Sequence, residues 1–162
     1  MHIPEYRTIL YATDMGESMR PVFAHAVGLA RHYRARIVML HAVEPLGSTG
    51  EWVLDAFLPP RLRQGDGEKR ILKKMLKKMR KRLRRICEEE LGESGTDPVS
   101  DIVVVSGRPA DAILHQAEKI DADLVIVGSH TDTGLGHGLL GSTARSLTQH
   151  SRRPVLVVPV NR

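Results

Sequence analysis

Residues 123–160 read DLVIVGSHTDTGLGHGLLGSTARSLTQHSRRPVLVVPV and carry most of the candidate chemistry of the chain. Five glycines (Gly128, Gly134, Gly136, Gly138 and Gly141) precede the paired hydroxyls of Ser142 and Thr143. Glycine lets backbone approach a ligand closely. The first turn of a helix leaves N–H groups unpaired and carries the positive end of the helix dipole. An apolar run, a glycine loop and a helix start, in that order, make a holder for an anion, with both hydroxyls placed to donate to phosphate oxygens. The same residues also suit a plain capped helix behind a flexible turn, and this segment alone does not choose between the two.

Spacing disfavours other chemistries. Gly136-His137-Gly138-Leu139-Leu140-Gly141 has the GxGxxG form, but it follows the fourth apolar run rather than the first. It also lacks an acid about 20 residues further on. The chain has no GxxxxGK[ST] and no GxSxG. A phospho-receiver needs an acceptor aspartate at the end of the third strand, where Ser106 and Gly107 stand. His130 and His137 have no cysteine or paired acid at metal-ligand spacing, so no metal site and no catalytic residue is assigned.

The elements that must position these residues follow from apolar periodicity. Residues 8–13 (TILYAT) form a first strand that ends at Asp14, with a turn at Met15 and Gly16 and Ser18 as helix cap. Val22, Phe23, Ala26, Leu29 and Ala30 then recur at helical spacing as far as Tyr33. Residues 36–43 make a second strand and 101–105 a third. Ser106-Gly107-Arg108-Pro109 breaks the third strand, and a helix over 110–120 follows. Residues 124–127 are the fourth strand, ending at Gly128. The helix opened by Ser142 is closed by Arg152 and Arg153, Pro154 forbids its continuation, and 155–160 is the fifth strand. Strands with no alternation are buried on both faces, which predicts an α/β fold: an open parallel sheet with helices on both faces. Ligands of such sheets bind beyond the C-terminal strand ends, where Asp14, Val43, Gly107 and Gly128 all fall. Asp14 and the glycine loop are therefore expected to meet in one crevice.

Two stretches stand apart. Residues 44–67 hold three prolines, four glycines, Trp52 and Phe57, and read as an irregular, mobile insertion in a single domain spanning 1–162. Within it, residues 52–58 could form a short helix facing a ligand or a partner. Residues 68–91 read as a long helix with an apolar stripe of Leu72, Met75, Leu76, Met79, Leu83, Ile86 and Cys87. Eleven lysines and arginines and no acid lie between residues 69 and 85, so the net charge of +5 conceals a remainder of −6. That basic face suits a polyanion, a membrane surface or a docking partner, and equally a solvated helix whose stripe covers the sheet. Glu88–Glu90 oppose the dipole at its end but can pair back to Arg84 and Arg85. One cysteine, no apolar run of membrane-spanning length and no signal-like N-terminus predict a cytoplasmic protein without a membrane span.

Gly128, two residues, Thr131, nine residues, then Gly141-Ser142 resembles the signature of the universal stress protein family, with Thr131 in place of the middle glycine. Residues 9–14, Leu40-His41-Ala42, Gly107-Arg108-Pro109-Ala110 and the ending Arg153-Pro154-Val155-Leu156-Val157-Val158-Pro159 are similar to that family too. The resemblance implies a Rossmann-like sheet of strand order 3-2-1-4-5 and binding of ATP or a related adenine nucleotide, with Mg²⁺ as an optional companion. It implies Ala12, Thr13 and Asp14 near ribose and phosphates, Ala42 at adenine, Val127 and His130 along the loop, and Gly128, Thr131, Gly141, Ser142 and Thr143 around the phosphates. If position 131 needs a positive φ, threonine is costly there; if it supplies backbone only, threonine serves. The resemblance also implies a homodimer through residues 154–160, an apolar strand at a sheet edge. The activity expected is that of a stress-response sensor or regulator with at most slow ATP hydrolysis. The alternative is a scaffold of the same fold that binds no nucleotide and docks a partner or polyanion on residues 69–85.

Overall fold

The computed structural model describes residues 3–16, 19–44, 66–92, 98–129 and 140–160. Five strands, β1 (Thr8–Ala12), β2 (Arg36–Val43), β3 (Val99–Ser106), β4 (Leu124–Gly128) and β5 (Val155–Val158), form one sheet of order β3-β2-β1-β4-β5. All neighbouring pairs are parallel. The helices are α1 (Arg20–Tyr33), α2 (Asp66–Leu91), α3 (Pro109–Lys119) and α4 (Ser142–His150). The expected α/β architecture and strand order are both present.

The core divides as a two-residue period demands. Ile9 and Tyr11 of β1, Ile37 and Met39 of β2, and Leu124 and Ile126 of β4 pack with α1 and α2. Leu10 and Ala12, Val38 and Leu40, and Val125 and Val127 pack with α3 and α4. Each fully buried aliphatic side chain contributes about 1.5–3 kcal/mol relative to exposure. Tyr11 donates to the Met19 carbonyl at 3.4 Å, and burial pushes its phenol well above the ordinary tyrosine range.

Several expected boundaries move, each for a local reason. β1 stops at Ala12, although the Thr13 N–H still donates to the Leu40 carbonyl at 2.9 Å. Met19 occupies the N-cap of α1, while Ser18, expected there, lies outside the described residues. β3 starts earlier than expected, at Val99, with a register shift opposite Ile37 and Val38. α4 ends at His150, so Arg152 and Arg153 do not close it. Ser151 is extended, and its hydroxyl bonds both the N–H and the carbonyl of Arg153. β5 stops at Val158, because Pro159 has no N–H to continue the ladder.

The apolar stripe of α2 covers the sheet only in part. Leu83 and Cys87 are buried, but Leu72 and Met75 are 37% and 39% exposed. Glu90 pairs with Arg20 of α1 at 2.8 Å, a partner on another helix rather than the expected Arg84 or Arg85. Residues 45–65, including 52–58, lie outside the described residues. Among those described, no helix is long and apolar enough to cross a membrane.

At the lower end of the sheet, Asp123 Oδ2 accepts the N–H groups of Arg7 and Thr8, each at 2.8 Å. Asp123→Ala strands both donors and is expected to lower the unfolding free energy by about 2 kcal/mol in urea denaturation. Substitution of the exposed Lys119 by Ala is expected to stay within about 0.5 kcal/mol of the parent.

Candidate functional site

β1 is where the sheet's order turns, with β2 on one side and β4 on the other. The C-terminal ends of these three strands open onto one cleft. Ala12, Thr13 and Asp14 form one wall, Ala42 with Leu40 and His41 a second, and Val127 with Gly128 a third. Pro109 and Ile113 of α3 and Thr143 of α4 close it. Its volume is about 100 Å³.

Local hydrogen bonds shape the turn that carries Asp14. Thr13 Oγ1 accepts the Met15 N–H at 3.0 Å, and Asp14 Oδ1 accepts the Gly16 N–H at 2.8 Å. Met15 adopts φ 68°, a left-handed conformation that closes the turn. The buried His41 lies with Nδ1 2.7 Å from the Thr13 carbonyl. A carbonyl only accepts, so Nδ1 carries the proton and donates. His41 thereby ties β2 to the start of the Asp14 turn.

Gly128 is required by space rather than by φ. A Cβ there would lie 2.9 Å from Val160 Cγ2 and 3.1 Å from Met19 Sδ. Ser129, buried next to it, is a junction. Its N–H donates to the Val158 carbonyl, its carbonyl accepts the Gly141 N–H, and its hydroxyl accepts the Val160 N–H. These bonds, of 2.8, 2.8 and 3.0 Å, join the end of β4, the tail of β5 and the start of α4.

The start of α4 corrects one account of Ser142, that it caps the helix. Gly141, not Ser142, is the N-cap, and among the described residues no side chain caps the helix. Ser142 is exposed at the first helical position and Thr143 is half-buried against the cleft. The first-turn N–H groups of α4 therefore have no side-chain cap competing for them.

Of the residues expected at the site, Ala12, Thr13, Asp14, Ala42, Val127, Gly128 and Thr143 line one cleft, and Gly141 and Ser142 adjoin it at the α4 N-terminus. His130 and Thr131 lie outside the described residues. His41 and Ser129 were not singled out from sequence. Their signals are slight: a lone histidine in an apolar strand and a serine just past a strand-ending glycine.

Larger hollows lie elsewhere. One of about 800 Å³ sits at the opposite end of the strands, and two of its arginines are paired with acids. Arg7 pairs with Glu5 at 2.7 Å, and Arg153 pairs with Asp121 at 2.8 Å and Glu118 at 3.4 Å. These acids raise both guanidinium pKa values. Another hollow, of about 410 Å³, lies between α1 and α2 on the other face of the sheet. Among the described residues no cluster of metal-ligating side chains occurs.

Gly128→Ala is expected to cost about 1–3 kcal/mol by overpacking against Val160 and Met19. Adding Val160→Ala should recover part of the loss in a thermal melt, which a purely conformational effect at position 128 would not show.

The geometry agrees with relatives of known family. The universal stress protein profile matches residues 5–159. A universal stress protein encoded beside a QAH/OAS sulfhydrylase in Thermus aquaticus is 29% identical over 154 residues, 94% of this chain and 98% of that one. Universal stress protein MJ0577 of Methanocaldococcus jannaschii is 29% identical over 158 residues, 94% of each. The solved structure of MJ0577 superposes with a TM-score of 0.73 at 27% identity, covering 98% of this chain and 99% of that one. A universal stress protein crystallised in complex with cAMP shares the fold, with a TM-score of 0.62 at 21% identity over 98% and 100% of the two chains. With the profile running through all five strands and through residues 128–142, the chain belongs to the universal stress protein family.

Proposed function

We propose that the cleft binds an adenine nucleotide and that the protein acts as a dimeric, cytoplasmic stress sensor or regulator. One observation carries this reading: Asp14 and the side-chain-free cap of α4 flank a single cleft at the turn in strand order. The apolar surface of Leu40, Ala42 and Ile113 suits the flat face of a purine, and the α4 N-terminus suits phosphate. At about 100 Å³ the cleft is smaller than sites that enclose a whole ligand, so the base would enter it and the phosphates would lie across its mouth. Mg²⁺, where it accompanies the phosphates, would be held through Asp14 and the nucleotide rather than by a protein cage. The family relative bound to cAMP supports the ligand class. β5 is an edge strand of Val155–Val158, and pairing of residues 154–160 with a second copy would cover it.

The test is mass spectrometry of small molecules released from the denatured protein, followed by calorimetric titration with ATP, ADP, AMP and cAMP. One nucleotide per chain is expected. Asp14→Ala should weaken it at least tenfold, and Gly141→Ala should weaken it by crowding the phosphates. No heat with any of the four at millimolar concentration would sink the reading. Light scattering should give twice the chain mass of 18.0 kDa, and a monomer would overturn the dimer.

A further inference from the structure

We infer that α2 is a docking ridge for duplex DNA, bound through its phosphates and independently of the nucleotide cleft. Arg70, Lys73, Lys74, Lys77, Lys78, Arg80, Lys81, Arg82, Arg84 and Arg85 are all exposed. Among the described residues only Arg80 has an ion-pair partner, Asp101 at 2.9 Å. Successive helical residues are about 100° apart, so these ten side chains fan almost evenly over roughly 200° of the helix circumference. Lys73, Lys77, Arg80 and Arg84 form one flank, beside the edge strand β3. Lys74, Lys78, Arg82 and Arg85 form the other, and Arg70 and Lys81 lie between them.

Like charges at i,i+4 each cost about 0.2–0.5 kcal/mol, and this helix carries a succession of them. A polyanion relieves that repulsion. A fan this wide suits a ligand that presents negative charge on both sides of the helix. An α-helix of about 10–12 Å diameter fits a B-form major groove about 12 Å wide, where phosphates run along both sides. Residues four apart rise about 6 Å, close to two phosphate steps of about 3.4 Å along a strand.

The structure disfavours the other polyanions. A lipid surface needs the apolar stripe turned outward, yet Leu83 and Cys87 of that stripe are buried on the sheet, and of its described residues only Leu72 and Met75 are exposed. An acidic peptide is one line of charge and would use one flank. A second copy of α2 brings the same sign. Between Asp66 and Leu91 there is no Asn or Gln to read adenine, and the contact inferred is to phosphates, with base contact limited to Arg70 and Lys81 facing guanine edges. The remainder of the chain, at −6, keeps the contact to this helix. The ridge lies on the α1–α2 face, away from the cleft beneath α3 and α4.

The experiment is fluorescence anisotropy of the full chain with a labelled random-sequence DNA duplex of about 20 base pairs, from low to moderate salt. The logarithm of the association constant should fall linearly with the logarithm of salt concentration. Lys74→Ala/Lys78→Ala/Arg85→Ala and Lys73→Ala/Lys77→Ala/Arg84→Ala should each reduce that slope by about 2.7 and weaken binding roughly 10²-fold near physiological salt. Alanine removes repulsion and favours helix, so neither triple variant should melt below the parent. Adenine-nucleotide titrations should be unchanged in both, which separates this inference from the cleft. Loss in only one triple variant assigns the ridge to a single-chain acidic partner and overturns the proposal. So does tighter binding to poly-glutamate, to anionic vesicles or to an A-form RNA duplex, and so does an absence of duplex binding at low salt.

Discussion

β1 is buried on both faces and hydrogen-bonded along both edges, and the rest of the fold is referred to it. Ile9 and Tyr11 face α1 and α2, while Leu10 and Ala12 face α3 and α4. A slip of one residue would exchange these sets and bring the Tyr11 hydroxyl among aliphatic side chains. The strand is pinned at both ends. Asp123 holds the N–H groups of Arg7 and Thr8 below, and Leu40 and His41 hold Thr13 above. The place of Asp14 in the cleft follows from those two anchors and from its own bond to Gly16.

A second constraint acts at the other wall. Gly128 leaves little room for a side chain, because a Cβ there would lie 2.9 Å from Val160 Cγ2 and 3.1 Å from Met19 Sδ, so β4, the tail after β5 and the approach to α1 come together at that point. Ser129 adds three hydrogen bonds at the same point. Each contributes on the order of 1 kcal/mol net, but their geometric effect is larger. They fix where Gly141 stands, and hence where the first turn of α4 points.

Charge is segregated in the same spirit. At the lower end of the sheet Arg7 and Arg153 are matched by nearby acids. Among the described cations of α2 only Arg80 is so matched, and the helix is held by Leu83 and Cys87 and by the Glu90–Arg20 pair near its C-terminal end. Its earlier half keeps Leu72 and Met75 open to solvent. Packing thus secures the later half of α2 by one face and leaves cations exposed along both halves.

Sequence by itself determined the element order, the parallel sheet and the segregation of charge, because apolar runs, glycines and a block of like charges are local features. Strand order was legible through a resemblance carried by residues such as Gly128, Gly141 and Ser142. Only the tertiary structure decided that Ser142 follows the cap instead of forming it, since Gly141 is held in place by Ser129 from across the loop. It also decided that His41 orients the Asp14 turn, that Glu90 answers Arg20, and that the α2 stripe outruns the sheet. Each of these depends on partners far apart in the chain, and no periodicity within a single element encodes a distance between two of them.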